Sequence, residues 1–275
     1  MQSPISSQHL ASPEHSALPD HLVLPELLVL PELLALLEQH KLASFEQLWG
    51  YAGDWFEPPN RERGGWSGVN FIELSDDAGQ KTGFYLKRQQ NFMRRTWQHP
   101  IAGEPTFLRE FKMMQYLKQH KIAIPNMVFF ASKQTQAVLL TQALEGYISF
   151  DCWLNNNQTA SLSQKKTLLN ALAQTIRSLH QARVQYRSLY AKHLFVKQNV
   201  DNFDVALIDF EKSRVSAFIA ILKFSDLITF NYRTPNLSRT HRLYFFKQYF
   251  NINHLSTWQK YLCRTIYKKS LRKLK

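Results

Sequence analysis

The sequence has few cysteines, no long apolar run and no acidic residue after Asp226. Its 275 residues include only two cysteines, Cys152 and Cys263, which lie far apart and form no CxxC pair. This excludes a disulfide framework and a zinc site made of four cysteines. The ten histidines show no HExxH pattern or other metal-binding spacing. The longest apolar segment, residues 215–222, is far shorter than the roughly 18 residues that a membrane-spanning helix needs.

The first 20 residues are rich in serine, proline and histidine and show little pattern. They lack the basic start of a secretory signal. We therefore expect this segment to be disordered and the protein to be cytoplasmic. With 44% hydrophobic and 13% aromatic residues, the chain has enough apolar side chains for one large domain or two modest lobes.

The net charge of +13 is concentrated towards the C-terminal end. A positive field there favours an anionic partner, which would be a phosphate-rich glycolipid, an acidic phospholipid or a nucleic acid. The alternative is a solvated basic face that only increases solubility. Because no helix-turn-helix pattern or row of stacking aromatics accompanies the charge, we expect no nucleic acid. Eleven basic residues follow Asp226: Arg233, Arg239, Arg242, Lys247, Lys260, Arg264, Lys268, Lys269, Arg272, Lys273 and Lys275.

The hydrophobic pattern predicts short helices, then strands, then mainly helices. Proline is compatible with the first turn of a helix over 31–41, and a second short helix over 45–60 is expected to end at Pro58 and Pro59. Apolar residues at helical spacing predict a helix over 104–120 and another with Ser163 as its N-cap. Short apolar runs predict strands at 67–74, 82–88, 127–130, 137–141, 193–196 and 205–210. The first two of these strands are expected to form one hairpin, and the last two a second hairpin. The remaining sequence predicts helices that separate at 234–236.

This order of elements predicts an α+β fold with two lobes. A cleft between two lobes is a common place for a small ligand to bind. The predicted parts are an N-terminal extension over 1–59, a small β-rich lobe with one helix over 60–145, a mainly helical lobe over 146–262 and a basic tail over 263–275.

Three features of the small lobe are typical of a phosphate-binding site. In the motif GGWSGV, Gly64, Gly65 and Gly68 would let the backbone approach phosphates closely, although two glycines before a tryptophan are equally compatible with an ordinary turn. Lys87 lies on the predicted return strand, from which its ammonium group would reach phosphates. Glu110 borders the apolar face of the next helix and would hold Lys87. The alternative is an exposed strand lysine and a solvated helix glutamate.

A candidate metal ligand follows in the second half of the chain. Asp209 ends an apolar strand in the motif LIDFEK, where its carboxylate would emerge into a cleft. Mg²⁺ is bound by one or two carboxylates together with phosphate oxygens. For this motif alone, an ordinary turn aspartate is the alternative. The segment QYRSLYAKHLFV at 185–196 favours the metal site because it lies just upstream, between a predicted helix and a predicted strand.

Taken as a set, these motifs resemble the lipopolysaccharide kinase family, bacterial relatives of protein kinases that phosphorylate Kdo or heptose in the lipopolysaccharide core. The similarity is greatest to the InaA-type branch of that family. It covers roughly residues 60–250 and rests on the motifs RGGWSGV, YLKRQQNFMRRTWQHPIAGEPTFLREF, LHQARVQYRSLYAKHLFV and LIDFEKSR.

The resemblance implies a kinase-like fold that binds ATP and Mg²⁺ between its lobes. By motif, Lys87 corresponds to the phosphate-binding lysine and Glu110 to its partner. Residues 141–145 correspond to the hinge whose backbone meets adenine, with Gln142 and Leu144 as contacts.

The resemblance also assigns roles in the second lobe. Asp209 and His193 correspond to the metal ligands, His193 standing where protein kinases use asparagine. Asp226 corresponds to an aspartate that braces the catalytic loop from a following helix.

Two positions depart from the His-Arg-Asp triplet of protein kinases. Tyr186 replaces the histidine and Ser188 replaces the aspartate, while Arg187 is kept; Arg187, Ser188 and Asp209 are the candidate catalytic residues. Loss of a general base typically lowers the rate by about 10²–10⁴-fold, but phosphoryl transfer depends mainly on positioning and charge neutralisation. Two functions stay open: an ATP-dependent kinase for a lipopolysaccharide core sugar, and a nucleotide-binding pseudokinase with a stress-response or scaffold role.

The basic tail suggests a membrane contact. If residues 263–275 are helical, Ile266, Leu271 and Leu274 lie among six basic residues. A Lys or Arg near an anionic leaflet contributes about 1 kcal/mol of binding free energy. Because lipopolysaccharide core is anionic and is assembled at the inner face of the cytoplasmic membrane, the resemblance implies peripheral attachment there. The alternative is a frayed and solvated chain end.

Overall fold

The computed structural model describes residues 30–62, 64–94 and 104–273. The predicted disorder of residues 1–20 and the parts of the family motifs at 63 and 95–103 lie outside the described residues. The helices are α1 (Pro31–Gln39), α2 (Phe45–Trp49), α3 (Thr106–Gln119), α4 (Phe150–Asn156), α5 (Leu162–Gln181), α6 (Ile219–Tyr232), α7 (Arg239–Phe250) and α8 (Thr257–Lys273). The strands are β1 (Trp55–Asn60), β2 (Trp66–Ser75), β3 (Lys81–Gln90), β4 (Met93–Arg94), β5 (Glu104–Pro105), β6 (Met127–Lys133), β7 (Gln136–Gln142), β8 (Ile148–Ser149), β9 (Val184–Gln185), β10 (Leu194–Gln198), β11 (Phe203–Leu207) and β12 (Arg214–Val215).

A five-stranded antiparallel sheet forms the N-terminal part, in the order β1-β2-β3-β7-β6. The predicted first hairpin is confirmed, since β2 and β3 pair along their full length. Successive side chains of a strand point to opposite faces of the sheet. On β3, Phe84, Leu86 and Arg88 therefore share one face, and Tyr85 and Lys87 share the other.

Helices α1 and α2 cover the Leu86 face of this sheet and form one core with it. Leu37 and Leu48 are fully buried there. Arg88 reinforces the contact, because its Nη1 donates hydrogen bonds to the backbone oxygens of Trp49 (2.6 Å) and Tyr51 (2.7 Å). From residue 30 onward, the predicted N-terminal extension thus packs on the β-rich lobe.

The helix predicted over 45–60 is wrong after Trp49. Helix α2 ends there, and residues 55–60 form β1, an edge strand of the sheet. Proline lacks a backbone N–H and is confined in sheets to edge strands and bulges. Pro58 and Pro59 fit this rule, because the register between β1 and β2 is irregular. The two prolines mark a sheet edge and not the end of a helix.

The C-terminal part is mainly helical and is built around α5. The apolar face predicted for this helix between 168 and 179 is buried in the main core. The predicted N-cap, Ser163, is wrong. Ser161 caps the helix instead. Gln164 lies three residues after Ser161 and forms a reciprocal capping box with it, whereas Ser163 has no glutamine or glutamate three residues later.

A small hairpin and the four helices α4, α6, α7 and α8 complete the described residues of this part. Strands β10 and β11 pair antiparallel, which confirms the second predicted hairpin, and β8 joins them as a third strand. Helices α6 and α7 separate around 234–236, as expected. Helix α8 begins at Thr257 and continues through the predicted boundary at 263. It packs against α6, where Oγ of Ser270 lies 3.3 Å from the backbone oxygen of Ile228.

A β-rich N-terminal sheet followed by a mainly helical region confirms the predicted α+β fold with two kinase-like lobes. Over the described ranges 30–62, 64–94 and 104–273, no helix combines the length and apolarity needed to cross a membrane.

Replacing Leu37 by alanine is expected to lower the free energy of unfolding by about 2–5 kcal/mol, because a fully buried side chain leaves a cavity against the sheet. Urea denaturation followed by circular dichroism measures the change. Leu34 lies on the same helix but is exposed, so Leu34→Ala is a matched control that should stay within about 0.5 kcal/mol of wild type. Equal losses in both variants would contradict the packing of α1 on the sheet.

Candidate active site

An ion pair between β3 and α3 is the central feature of the site. Nζ of Lys87 lies 2.7 Å from Oε1 of Glu110. The Glu110 side chain is only 3% exposed and that of Lys87 is 21% exposed. The carboxylate is therefore inside the protein, while the lysine side chain is partly exposed. The pairing predicted for these two residues is present.

The charge of Lys87 is maintained against the effect of burial. Burial alone would lower the pKa of Lys87, but the charge of Glu110 and the hydrogen bond to it outweigh this, and the charge of Asp209 adds to them. The pKa of Lys87 is consequently raised from its ordinary value. Lys87 is a cation at neutral pH, and Asp209 lies within electrostatic reach of it.

Asp209 follows β11 and contacts His193. Oδ2 of Asp209 is 3.4 Å from Nδ1 of His193, and the carboxylate is partly exposed. The backbone of Asp209 is left-handed, with a φ of +63°. Few residues other than glycine adopt this conformation, although aspartate is enriched among them. The turn brings the next backbone nitrogen, that of Phe210, to 3.5 Å from Oε1 of Glu110.

His193 presents a neutral ring to this carboxylate. Its Nδ1 is 2.9 Å from the backbone oxygen of Ser188, and both neighbours of Nδ1 are acceptors, so Nδ1 carries the proton and Nε2 keeps a lone pair. Burial lowers the pKa of His193 despite the opposing charge of Asp209. Among the described residues, no group of three or more acidic, histidine or cysteine side chains is placed to hold a metal ion. A carboxylate is the kind of oxygen ligand that Mg²⁺ prefers, whereas His193 has only Nε2 free to act as a ligand; metal binding by Asp209 and His193 stays a prediction.

Asp226 on α6 braces the loop that carries the candidate catalytic residues. Its Oδ2 accepts a hydrogen bond from the backbone N–H of Tyr186 (2.7 Å), and its Oδ1 accepts one from that of Arg187 (2.9 Å). The bracing contact implied by the family resemblance is confirmed. Behind it, Nε2 of His180 lies 3.3 Å from Asp226, and Nδ1 of His180 lies 2.8 Å from the hydroxyl of Tyr249. This chain of contacts, which reaches α7, was not predicted.

Tyr186 links the loop to the segment that carries Asp209. Its fully buried ring lies 5.7 Å from that of Phe210, and its hydroxyl donates a hydrogen bond to the backbone oxygen of Ile208. Burial raises the pKa of Tyr186 well above its usual value, and the negative charges of Asp209 and Glu110 raise it further. The phenol therefore stays protonated and keeps this bond. The tyrosine at the histidine position of the triplet thus connects the two segments.

Ser188 and Arg187 differ in their access to solvent. Ser188 is fully buried, and its Oγ has no hydrogen-bond partner within the described part of the chain. Arg187 is exposed and has a left-handed backbone with a φ of +66°. The serine hydroxyl thus points into the protein, whereas the arginine beside it faces outward. A catalytic role for either residue stays a prediction.

The three glycines of the candidate phosphate-binding loop have different surroundings. Gly64 has a φ of +76°, and a Cβ there would meet nothing within 4 Å. A Cβ at Gly65 would lie 2.1 Å from the backbone oxygen of Gln90, so the loop is packed directly on β3. A Cβ at Gly68 would lie 2.6 Å from the ring of Trp55. Packing explains Gly65 and Gly68 without a phosphate, and phosphate contact at all three stays a prediction.

The predicted hinge begins at the end of β7. The backbone N–H of Gln142 donates a hydrogen bond to the backbone oxygen of Asn126 (2.9 Å), and its side chain accepts one from the Asn126 amide (3.1 Å). The backbone oxygen of Leu144 accepts a hydrogen bond from the N–H of Tyr147 (3.2 Å). Adenine contacts at Gln142 and Leu144 stay predictions, and the N–H of Gln142 is already used within the protein.

Arg109 connects α3 with the segment after Asp209, a contact that sequence reasoning missed. Its guanidinium donates two hydrogen bonds to the backbone oxygen of Ser213, from Nε (3.1 Å) and Nη2 (2.6 Å). The Ser213 hydroxyl in turn donates one to the backbone oxygen of Tyr186 (3.0 Å). The available sequence signal was the position of Arg109 directly before Glu110.

A cavity of about 430 Å³ lies elsewhere, in the helical part of the molecule. It opens between α4, the start of α5 and the start of α7, and its lining includes Trp153, Leu169, Lys165 and His241. None of the predicted site residues lines it. The candidate site is therefore defined by its ion pair and its hydrogen bonds.

Comparison with known proteins agrees with this arrangement. Residues 46–249, which include every predicted site residue, match the model of the lipopolysaccharide kinase (Kdo/WaaP) family. This chain belongs to the lipopolysaccharide kinase family. It is also 29% identical over 180 residues to Protein InaA of Escherichia coli (strain K12), a match that covers 63% of this chain and 80% of that relative. The predicted family and its InaA-type branch are confirmed, and membership of the lipopolysaccharide kinase family supports a kinase-type function.

Asp226→Ala is expected to lower the free energy of unfolding by about 2–6 kcal/mol, because the N–H groups of Tyr186 and Arg187 lose their buried acceptor. Urea denaturation measures the loss. Asp201→Ala, in the exposed turn between β10 and β11, is the control and should change the free energy by less than about 0.5 kcal/mol. An Asp226 variant as stable as wild type would show that the brace contributes nothing.

Proposed function

We propose that this protein is a phosphotransferase of the lipopolysaccharide kinase type that uses ATP and Mg²⁺. One observation carries the proposal: the Lys87–Glu110 ion pair lies within electrostatic reach of Asp209, which contacts His193. Phosphoryl transfer requires positioning and charge neutralisation more than covalent chemistry. These side chains offer a fixed cation for phosphates and, beside it, two groups that fit a divalent metal ion.

Each of these residues has a separate role in the proposal. Lys87 would bind phosphate oxygens of ATP while Glu110 fixes the position of its ammonium group. Asp209 and His193 would hold Mg²⁺, which neutralises phosphate charge when it is bound. Tyr186 would keep the backbone ahead of Asp209 in place through its hydroxyl. Glu110 retains acceptor capacity, because its Oε2 has no partner among the residues that the structure describes.

The proposed acceptor is a hydroxyl group of a lipopolysaccharide core sugar or of another anionic glycolipid. Family membership supports this acceptor, and so do the exposed cations Arg187 and Lys192 on the braced loop. Nearby, the guanidinium of Arg233 lies 5.2 Å from the ring centre of Tyr190 on the same loop. Cations around the loop suit an acceptor that already carries negative groups. The proposed location is the cytoplasm, at the inner face of the cytoplasmic membrane.

A nucleotide-binding pseudokinase with a stress-response or scaffold role is the second candidate. It is favoured by the burial of Ser188, whose hydroxyl neither takes up a proton at neutral pH nor faces solvent. Arg187 cannot replace the missing base, because its guanidinium is always protonated. On this hypothesis the site binds ATP and Mg²⁺ without transferring phosphate.

ATP with Mg²⁺ is expected to raise the melting temperature of the wild-type protein, because a ligand that binds only the folded state adds about 2.7 kcal/mol of stability at 100 times its Kd. The double variant Lys87→Met/Glu110→Gln should lose this response while leaving no unpaired buried charge. Lys81 is the control on the same strand, since its ion pair with Glu73 is exposed; Lys81→Ala should respond like wild type. Scanning fluorimetry measures all three, and an unchanged response in the double variant would reject the nucleotide site.

Transfer of labelled γ-phosphate from ATP to purified lipopolysaccharide core separates the two candidate functions. The proposal expects incorporation by wild type and a loss of about 10²-fold or more in Asp209→Asn, because charge stabilisation at the transferring group is removed. Asp204→Asn, on the exposed side of β11, should keep wild-type activity. Equal incorporation by wild type and Asp209→Asn would overturn the transferase proposal. Stabilisation by ATP and Mg²⁺ without any incorporation would select the pseudokinase.

A further inference from the structure

Helix α8 has one buried side and one outward side. Leu262, Ile266 and Ser270, spaced four residues apart, are buried and face the rest of the protein. Exposed residues occupy the opposite side, and Trp258, which lies one turn before the buried row at the start of the helix, is exposed as well. We name this outward surface the α8 face; it carries Trp258, Tyr261, Arg264, Lys268, Leu271 and Arg272.

The α8 face has an aromatic pair at its start. The rings of Trp258 and Tyr261 stack with centroids 5.8 Å apart, yet the two residues are 65% and 60% exposed. Leu271, further along the same face, is 45% exposed. Tryptophan and tyrosine combine an apolar ring with one polar group, which suits them to the boundary between lipid and water.

The rest of the α8 face is strongly basic. Arg264, Lys268 and Arg272 follow one another at four-residue intervals along it. The chain has no carboxylate side chain after Asp226, which is itself buried and hydrogen-bonded to the catalytic loop, so helices α7 and α8 supply none to neutralise this charge. A row of cations next to exposed aromatic rings is complementary to an anionic surface with an apolar interior.

We propose that the α8 face docks on an anionic lipid bilayer, with Trp258 and Tyr261 at headgroup level and the basic side chains on lipid phosphates. The α8 face would then be the surface that contacts the membrane. Its aromatic residues Trp258 and Tyr261 precede the basic segment 263–275. This docking is a binding event that requires no nucleotide, so it stands or fails independently of phosphate transfer.

Two other occupants fit the α8 face less well. A second copy of the chain would bring two rows of Arg and Lys against each other, and like charges repel. A nucleic acid would be held by its phosphates and by stacking on open ring faces, but one face of Trp258 and one of Tyr261 are already engaged with each other. Leu271 would also contribute nothing to such a complex, whereas a bilayer can accept it.

Co-sedimentation of the full chain with extruded vesicles tests the proposal. Vesicles of phosphatidylcholine with phosphatidylglycerol should bind the protein, and vesicles of phosphatidylcholine alone should bind it far more weakly. Lys268→Gln/Arg272→Gln should weaken binding about 30-fold, at about fivefold per charge. Trp258→Ser/Tyr261→Ser should weaken it at least about tenfold, because the apolar contact is lost. Raising the salt concentration should reduce binding by the wild type and by the aromatic variant alike.

Control variants remove charge or apolar surface at other exposed positions. Lys118→Gln/Lys121→Gln at the end of α3, and Val200→Ser in the turn after β10, should bind as wild type does. Unchanged melting temperatures will confirm that the α8 variants are folded, since all four changed side chains are exposed. Equal binding to neutral and anionic vesicles, wild-type binding by both α8 variants, or tighter binding to a single-stranded oligonucleotide than to anionic vesicles would each overturn the proposal.

Discussion

The buried carboxylate of Glu110 is the group on which the arrangement of the site depends. A charge removed from water is stable only beside a partner, and Lys87 supplies one at 2.7 Å. Because Glu110 lies on α3 and Lys87 on β3, this requirement fixes the helix against the sheet. The backbone nitrogen of Phe210 approaches the same oxygen, and Arg109, one residue earlier, holds the segment after Asp209. Arg109 and Glu110, adjacent on α3, thus fix the positions of strand β3 and of the segment that carries Asp209 relative to that helix.

The loop that precedes β10 keeps its supports although the usual base is absent. Asp226 accepts two of its backbone N–H groups, His180 and Tyr249 stand behind that carboxylate, and Tyr186 bonds to the peptide before Asp209. The departure from the kinase pattern is therefore confined to single side chains within an intact frame. For that reason the two proposed activities are separable: the proposed nucleotide binding depends on this frame, whereas the proposed phosphate transfer also depends on the group that would replace the missing base.

Local sequence patterns predicted the elements whose stability is local. The β2–β3 hairpin and the apolar face of α5 follow from period and spacing, and the contacts of Lys87 and Asp226 followed from motifs shared with a family. Apart from the N-cap at Ser161, a local signal, the missed features depend on residues far apart in the chain. Strand β1 forms because β2 offers an edge, and Gly68 is small because Trp55 packs on it, so neither is visible in a short window. The burial of Ser188 likewise results from packing between separate segments.

Lys87 and Arg88 are neighbours on β3 whose side chains point to opposite faces of one sheet. Arg88 bonds to the backbone at Trp49 and Tyr51. The same strand therefore carries both the contact that holds helices α1 and α2 on the sheet and the candidate phosphate-binding residue Lys87. A fragment that begins at residue 55 would lack helices α1 and α2, which cover this face of the sheet. It would expose the row of apolar side chains around Leu86 to water and leave the strand supported from one side only.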